Sequence, residues 1–267
     1  MRADHLTKQH GREVTTSTQQ SINPDAGPLA RAARLGLWAL PVWAALLFVG
    51  TISHQPDWRT QLADWSRYVT TSQFLASHLV ASILGAAIGA LGIVALGAVL
   101  AALGHARAGL WAMVTGVLAN VLFAAVFGIA AFAQPAIGRD YLAGHTAQAR
   151  LLVHTAVNGA WLNATGITSG VLLAASVIVA GVAVARTSSL PRAAGIGFAI
   201  SMLLFVIGAI PDNFLQSIAA ALMTASTAWI AAAAGRRGAP AQVAGAGDTI
   251  PAASHPDVAH SRPAGAR

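Results

Sequence analysis

The chain has no cysteine and only one lysine, and charged residues make up just 9% of its 267 positions. Without cysteine, disulfides, thiolate metal sites and thiol nucleophiles are excluded. Soluble domains carry about 25% charged residues, so this composition argues against a water-soluble fold. Hydrophobic residues account for 55% of the chain and the mean hydropathy is +0.62. These values predict a protein whose main solvent is a lipid bilayer.

Motifs that carry common enzyme chemistry are also missing. The sequence contains no Walker-type phosphate loop, no G-x-S-x-G elbow, no dinucleotide fingerprint and no paired catalytic carboxylates. Its net charge of +7 comes from arginines scattered through tails and loops rather than gathered in one patch. Membrane topology explains such a distribution better than nucleic-acid binding. We therefore expect neither a nucleic-acid partner nor, on balance, an enzyme.

Six apolar runs predict an all-α, polytopic membrane protein with a six-helix transmembrane bundle. Each run comes close to or exceeds the roughly 20 residues that cross the hydrocarbon core. The domain they form covers 35–235, and the polar flanks 1–34 and 236–267, rich in proline and glycine at the C-terminus, are predicted to be disordered tails. The predicted spans are 35–53, 75–103, 111–133, 157–184, 193–210 and 217–235.

Basic residues near the spans predict that both termini are cytoplasmic. Seven arginines then lie inside and four outside, which agrees with the positive-inside rule. The bias toward alanine, glycine, arginine and proline suggests a bacterial source, and hence the inner membrane. The first run is expected to stay uncleaved, because "GTISHQ" lacks a small-x-small cleavage site. The inner set is Arg31, Arg34, Arg107, Arg186, Arg192, Arg236 and Arg237, and the outer set is Arg59, Arg67, Arg139 and Arg150.

The two longer outer loops predict interfacial amphipathic helices. In "PDWRTQLADWSRYV", Trp58, Leu62, Trp65 and Val69 recur at helical spacing while charged residues take the other side. We expect that apolar side to face the lipid headgroup region. In "GRDYLAGHTAQARLLVHTAV" a shorter helix leads into the fourth span, with a bend at 158–159.

Small residues predict the seams between spans, because helices in lipid associate through close backbone approach. Hydroxyls within the spans, including those of Thr115, Thr165, Thr168 and Ser176, are expected to bond their own helix backbone. The predicted seam stripes are Ala81, Gly85 and Gly89; Ala124 and Gly128; Gly166, Gly170 and Ala174; and Gly197 and Ser201.

Asn120 and Asn163 are two of the amides inside the predicted spans. Asn120 lies about nine residues into the third span, near the midplane, where an unpaired amide is costly. Two interpretations stay open for both residues, a helix–helix hydrogen bond and a substrate contact. The "NAT" sequence at Asn163 is formally a glycosylation acceptor, but it lies inside a predicted span.

Four histidines are predicted to lie at one level, the outer headgroup region. They are His54 after the first span, His78 near the outer end of the second, and His145 and His154 before the fourth. Neutral imidazole binds zinc or copper, and two imidazoles can ligate a haem. The spacings match no HExxH, HxxxH or zinc-type signature, so a structural role at the interface, a metal or haem site and a proton-handling role remain alternatives.

None of the predicted span cores contains Asp, Glu, Lys or Arg, which argues against an ion- or proton-coupled carrier. Three functions remain. The first is a non-enzymatic membrane scaffold or partner-binding protein without a cofactor, which associates with itself or with another membrane protein. The second is a carrier or pore for a neutral or lipid-like solute. The third is an outer-face histidine protein that binds a metal or haem.

Overall fold

The structure, a computed structural model, describes residues 27–52, 55–208 and 213–237. Within these ranges the chain forms α-helices and two π-helical segments, and none of these residues lies in a strand, so the all-α prediction is confirmed there. The helices α1 to α10 are Pro28–Gly36, Ala39–Ile52, Leu62–Val69, Ser72–Ala76, Gly85–Ala102, Ala106–Leu142, Thr146–Leu152, Ala160–Arg186, Arg192–Gly208 and Asn213–Arg237. The π-helical segments π1 and π2 are Ser77–Leu84 and Val153–Val157.

Five helical stretches are long and apolar enough to cross a membrane. The predicted run 193–210 corresponds to α9, a shorter apolar helix of 17 residues. By length and composition the described chain therefore has five candidate spans, where the sequence predicts six. The five are Pro28–Ile52, Ser72–Ala102, Ala106–Leu142, Thr146–Arg186 and Phe214–Arg236.

Six helices form a closed ring. In the order α2, α5, α6, α8, α9 and α10, each packs against the next, and α10 packs against α2. The described end of the predicted tail 1–34 forms helix α1, which packs mainly against α5. The rest of the predicted tails, 1–26 and 238–267, lies outside the described residues. A large hydrophobic core, which includes Trp43, Leu96, Phe198 and Met223, fills the space between these helices.

Two of the predicted small-residue seams are confirmed. A Cβ on Gly89 would lie 2.9 Å from the ring of Trp43, so α5 and α2 touch there. A Cβ on Gly197 would lie 2.6 Å from Ser226 Oγ in α10. By contrast, no heavy atom of another described helix lies within 4 Å of the Cβ position of Gly128, and a Cβ on Gly170 would lie 3.9 Å from Val206.

The closest contacts between ring helices occur at glycines that the sequence analysis passes over. A Cβ on Gly109 would lie 2.5 Å from Gly97 O, and one on Gly195 would lie 2.6 Å from Gly181 O. These pairs join α5 to α6 and α8 to α9 by direct backbone contact. Any side chain at these positions would push the helices apart.

Hydroxyl groups add hydrogen bonds between helices. The hydroxyl of Ser176 donates to Ala112 O at 2.7 Å, from α8 to α6. The prediction that Ser176 bonds its own helix is therefore wrong, because α6 packs closely on α8 here: a Cβ on Gly116 would lie 2.5 Å from Ser176 Oγ. Thr115 and Thr165 do bond their own helices, as predicted.

A second, smaller hydrophobic core lies at one end of the ring, and we call it the cap. It joins α3, the start of the second candidate span, the end of α6, and α7 with π2. We call this end of the ring the cap end and the opposite end, where α1 begins and α10 ends, the basic end. The buried residues of the cap are Leu62, Trp65, Val69, Phe74, Ile137, Ala149 and Val153.

The cap changes the interpretation of the first predicted interfacial helix. Leu62, Trp65 and Val69 of the predicted helix lie on α3, whereas Trp58 precedes it. Trp65 and Val69 are buried by protein, at 1% and 0% exposure. They pack on α6, where a Cβ on Gly138 would lie 2.7 Å from Val69. The expectation that this face points into lipid is corrected, because α6 runs past Pro135 to Leu142 and supplies a protein surface.

The predicted bend before the fourth span is confirmed. Segment π2 ends at Val157, and α8 begins at Ala160 after an extended Gly159. The side chain of Asn158 donates to Val153 O at 3.1 Å, and the backbone N–H of Asn158 donates to the same oxygen at 3.0 Å, so this residue closes the end of π2.

Candidate functional site

The centre of the ring contains a small cavity of about 10 Å³. Five of the six ring helices contribute to its wall, and so does segment π1, which directly precedes α5. Most of the wall is aromatic or aliphatic. This volume suits about one water molecule. The lining side chains are Trp43, Leu47, Ser82, Ala86, Asn120, Phe123, Phe127, Leu173 and Phe205.

Asn120 is the buried amide of this cavity, with 4% of its surface exposed. Its Nδ2 donates to Gly116 O at 2.8 Å, one turn earlier in the same helix. No donor from the described residues bonds its Oδ1. The hydrogen bond that the structure gives Asn120 thus stays within α6, and its carbonyl oxygen keeps its capacity to accept another.

Segment π1 supplies the other polar side chain of the cavity, Ser82. A π-helical stretch widens the backbone by one residue and shifts the direction of the side chains that follow. Such segments are frequent at functional sites in membrane and soluble proteins. Here π1 also contains His78, one turn nearer the cap.

His78 bonds within its own helix and packs against aromatic rings. Its Nδ1 lies 2.9 Å from Phe74 O, and since a carbonyl only accepts, this nitrogen carries the proton. The imidazole centroid lies 4.0 Å from that of Phe74 and 6.2 Å from that of Phe127. Phe127 in turn lies 4.8 Å from Phe123. These four rings form a continuous aromatic column from the cap to the cavity.

The other two outer histidines that the structure describes have separate partners. His145 Nδ1 lies 2.6 Å from Asp140 Oδ1, on the exposed turn between α6 and α7. His154 is exposed and packs edge-on to Trp58, with 6.3 Å between ring centroids. His54 lies outside the described residues. Within the described ranges, no three histidine or acidic residues are close enough together to hold a metal ion.

Asn163 lies near the start of α8 and is exposed. Its Nδ2 donates to Asn158 O at 2.9 Å, across the bend that precedes the helix. In the described chain this amide therefore stabilises the bend between π2 and α8 and makes no hydrogen bond to another span.

Sequence reasoning found Asn120 but missed its surroundings. Phe123 and Phe127 follow Asn120 at positions i+3 and i+7, so the sequence already places all three on one stripe of α6. This spacing indicates that aromatic side chains lie beside the amide of Asn120. Nothing in the sequence pairs this stripe with Ser82, because the pairing depends on how α5 and α6 are rotated in the ring.

Comparison with protein-family models, curated proteins and solved structures finds no match for this chain.

Proposed function

We propose that the chain is a six-span protein of the bacterial inner membrane, with both termini cytoplasmic and the cap outside. Helix α9 supports the sixth span because it packs between α8 and α10 in the ring. Its 17 residues measure about 26 Å, and a bilayer thins locally to match a short span at modest cost. The seven arginines at the basic end, against four at the cap end, support the orientation.

We propose further that the protein is a non-enzymatic scaffold that binds a partner through its cap. The observation that supports this proposal is the cap itself, a folded surface with its own hydrophobic core. Helix α6 is about 55 Å long at 1.5 Å per residue, against about 30 Å of hydrocarbon, so its last turns extend into the headgroup region and water.

The exposed surface of the cap is suited to a partner rather than to lipid. Gln61, Arg67 and Gln148 are exposed there, and Asp64 forms an ion pair with Arg67 at 2.8 Å. An exposed ion pair contributes little stability. The polar surface above a packed hydrophobic core therefore favours recognition of another protein.

Site-specific photo-crosslinking in living cells tests this function. A benzophenone amino acid is placed at Gln61 or Gln148 in the cap, and at Val121, an α6 residue 60% exposed on the bundle, as the matched control. We expect discrete adducts from the cap positions and none from Val121. An adduct of twice the chain mass identifies self-association. Absence of adducts from every cap position would contradict the proposal.

A second candidate is a carrier or pore for a small neutral solute, and the unbonded Oδ1 of Asn120 favours it. An amide whose carbonyl oxygen accepts no hydrogen bond in a membrane interior is costly, and polar groups at membrane depth are often functional. Against it, large apolar side chains reduce the central cavity to about 10 Å³.

Stopped-flow permeability of proteoliposomes to water and glycerol tests the second candidate. A carrier raises the permeability above that of protein-free liposomes, and Asn120→Leu abolishes the increase. Asn163→Leu is the matched control, because that amide lies outside the cavity. If the wild-type protein leaves both permeabilities unchanged, transport of these solutes is refuted.

A further inference from the structure

A partly open cleft of about 80 Å³ lies at the basic end, between α1 and α5. Alanines such as Ala33 and Ala98 form much of its wall, and Arg34 lines it as well. Leu190, from the connection between α8 and α9, and Ala234 of α10 complete the wall. The cleft therefore combines an apolar surface with a cationic side chain.

The cleft exists because α1 and α5 approach closely at Gly36 and carry short side chains between there and the start of α1. A Cβ on Gly36 would lie 2.9 Å from Ala95 Cβ, so the two helices are in contact there. Closer to the start of α1, Ala30 and Ala33 oppose Ala98 and Ala102. Alanines cannot fill the space between helices that larger residues would occupy.

The charge at this end has one sign among the described residues. Asp57, Asp64 and Asp140 are the acidic residues of the described chain, and all three lie at the cap end. Arg34 lines the cleft, and Arg31, one turn before it on α1, is exposed. An end with several arginines and no described carboxylate attracts anions.

Exposed tryptophans indicate where the membrane surface crosses this end. Trp38, Trp111 and Trp229 are 49%, 56% and 49% exposed. Tryptophan prefers the headgroup level of a bilayer. Trp38 follows Arg34 by one turn, and Trp111 follows Arg107 by one turn. The cleft therefore lies at the level where lipid phosphates meet the first acyl carbons.

We propose that this cleft binds one anionic phospholipid. The phosphate of the lipid lies against Arg31 and Arg34, and the first part of one of its acyl chains contacts the cleft wall at Ala33 and Ala98. A zwitterionic phospholipid offers the same chain without the net charge, and inorganic phosphate offers the charge without the chain. The site rests on the proposed membrane placement and is independent of the partner-binding role of the cap.

Native mass spectrometry of the full, delipidated chain in detergent tests the site. The protein is titrated with phosphatidylglycerol or with phosphatidylcholine of identical acyl chains. We expect one tightly bound phosphatidylglycerol, and an affinity about 30-fold lower in Arg31→Gln/Arg34→Gln. The matched control, Arg139→Gln/Arg150→Gln, removes the same charge at the cap end and is expected to keep the wild-type affinity.

A second variant tests the apolar half of the site without changing its charge. Ala98→Leu fills the cleft and is expected to weaken phosphatidylglycerol binding while the thermal unfolding temperature stays within a few degrees of the wild type. Wild-type affinity in the double arginine variant, equal loss in the cap-end control, or displacement of the lipid by millimolar inorganic phosphate would each overturn the proposal.

Discussion

Replacing Trp65 by alanine should open the cap while leaving the ring folded. Trp65 is 1% exposed and belongs to the cap core, which is separate from the main core of the ring. A buried tryptophan removes about 150–250 Å² from solvent, which at about 25 cal/mol per Å² corresponds to about 4–6 kcal/mol. Measured Trp→Ala changes of about 3–5 kcal/mol agree with this range. We therefore expect the cap to lose at least about 3 kcal/mol of stability.

The absence of cysteine makes the assay direct. A single Val69→Cys substitution places a thiol in the cap at a position with 0% exposure, and its rate of reaction with a maleimide reports how often the cap opens. A loss of about 3 kcal/mol raises this rate about 150-fold, unless it first reaches the rate of a fully exposed thiol. Gln148→Cys, which is exposed, sets that upper limit.

Two results would refute this reasoning. If Trp65→Ala leaves the rate at position 69 unchanged, the tryptophan does not stabilise the cap. If the variant loses helical circular dichroism or aggregates on gel filtration, the cap and the ring form one cooperative unit. The expected result is fast labelling at position 69 in a protein with wild-type helicity.

Three further predictions concern the ring, the topology and the histidines. Ser176→Ala removes the bond to α6 and should lower the stability in detergent by about 0.5–1.5 kcal/mol, measured by SDS titration; an unchanged midpoint would contradict it. A thiol at Gln61 should react with an impermeant maleimide added outside intact cells, and reaction only from the cytoplasm would reverse the proposed orientation. His78→Ala/His154→Ala should match the wild type in visible absorption and metal content; a stoichiometric metal or a Soret band lost in the variant would instead indicate a histidine ligand set.

The helices could be predicted from the sequence because apolarity is a local property. The elements that pack on each apolar face could not be predicted in this way. The spacing of Trp58, Leu62, Trp65 and Val69 indicates an amphipathic helix whether lipid or protein covers it. The cover is decided by α6, which continues past Pro135 and whose Gly138 lets α3 approach closely. Contacts across such distances along the chain leave no periodic signal.

The candidate site could be predicted in part for the same reason. The depth of Asn120 follows from its place in an apolar run, whereas its cavity depends on the rotation of five helices about their axes. The same reason applies to the four histidines. Placing them at one predicted level does not determine where each lies around the bundle, and so does not determine whether they are close together. In the structure His78 packs between Phe74 and Phe127, while His145 and His154 have other partners.

The closed ring has a consequence for biosynthesis. The seam that completes it joins α2 to α10, where Ser217 Oγ donates to Thr51 Oγ1 across 166 positions of sequence. On the proposed membrane placement, α2 inserts long before α10 is synthesised, so the face of α2 that packs on α10 contacts lipid until the last helix arrives. Premature termination would therefore leave this face of α2 without α10, and other membrane proteins could contact it. Conversely, linking the start of α1 to the end of α10 and opening the chain elsewhere would preserve every seam of the ring.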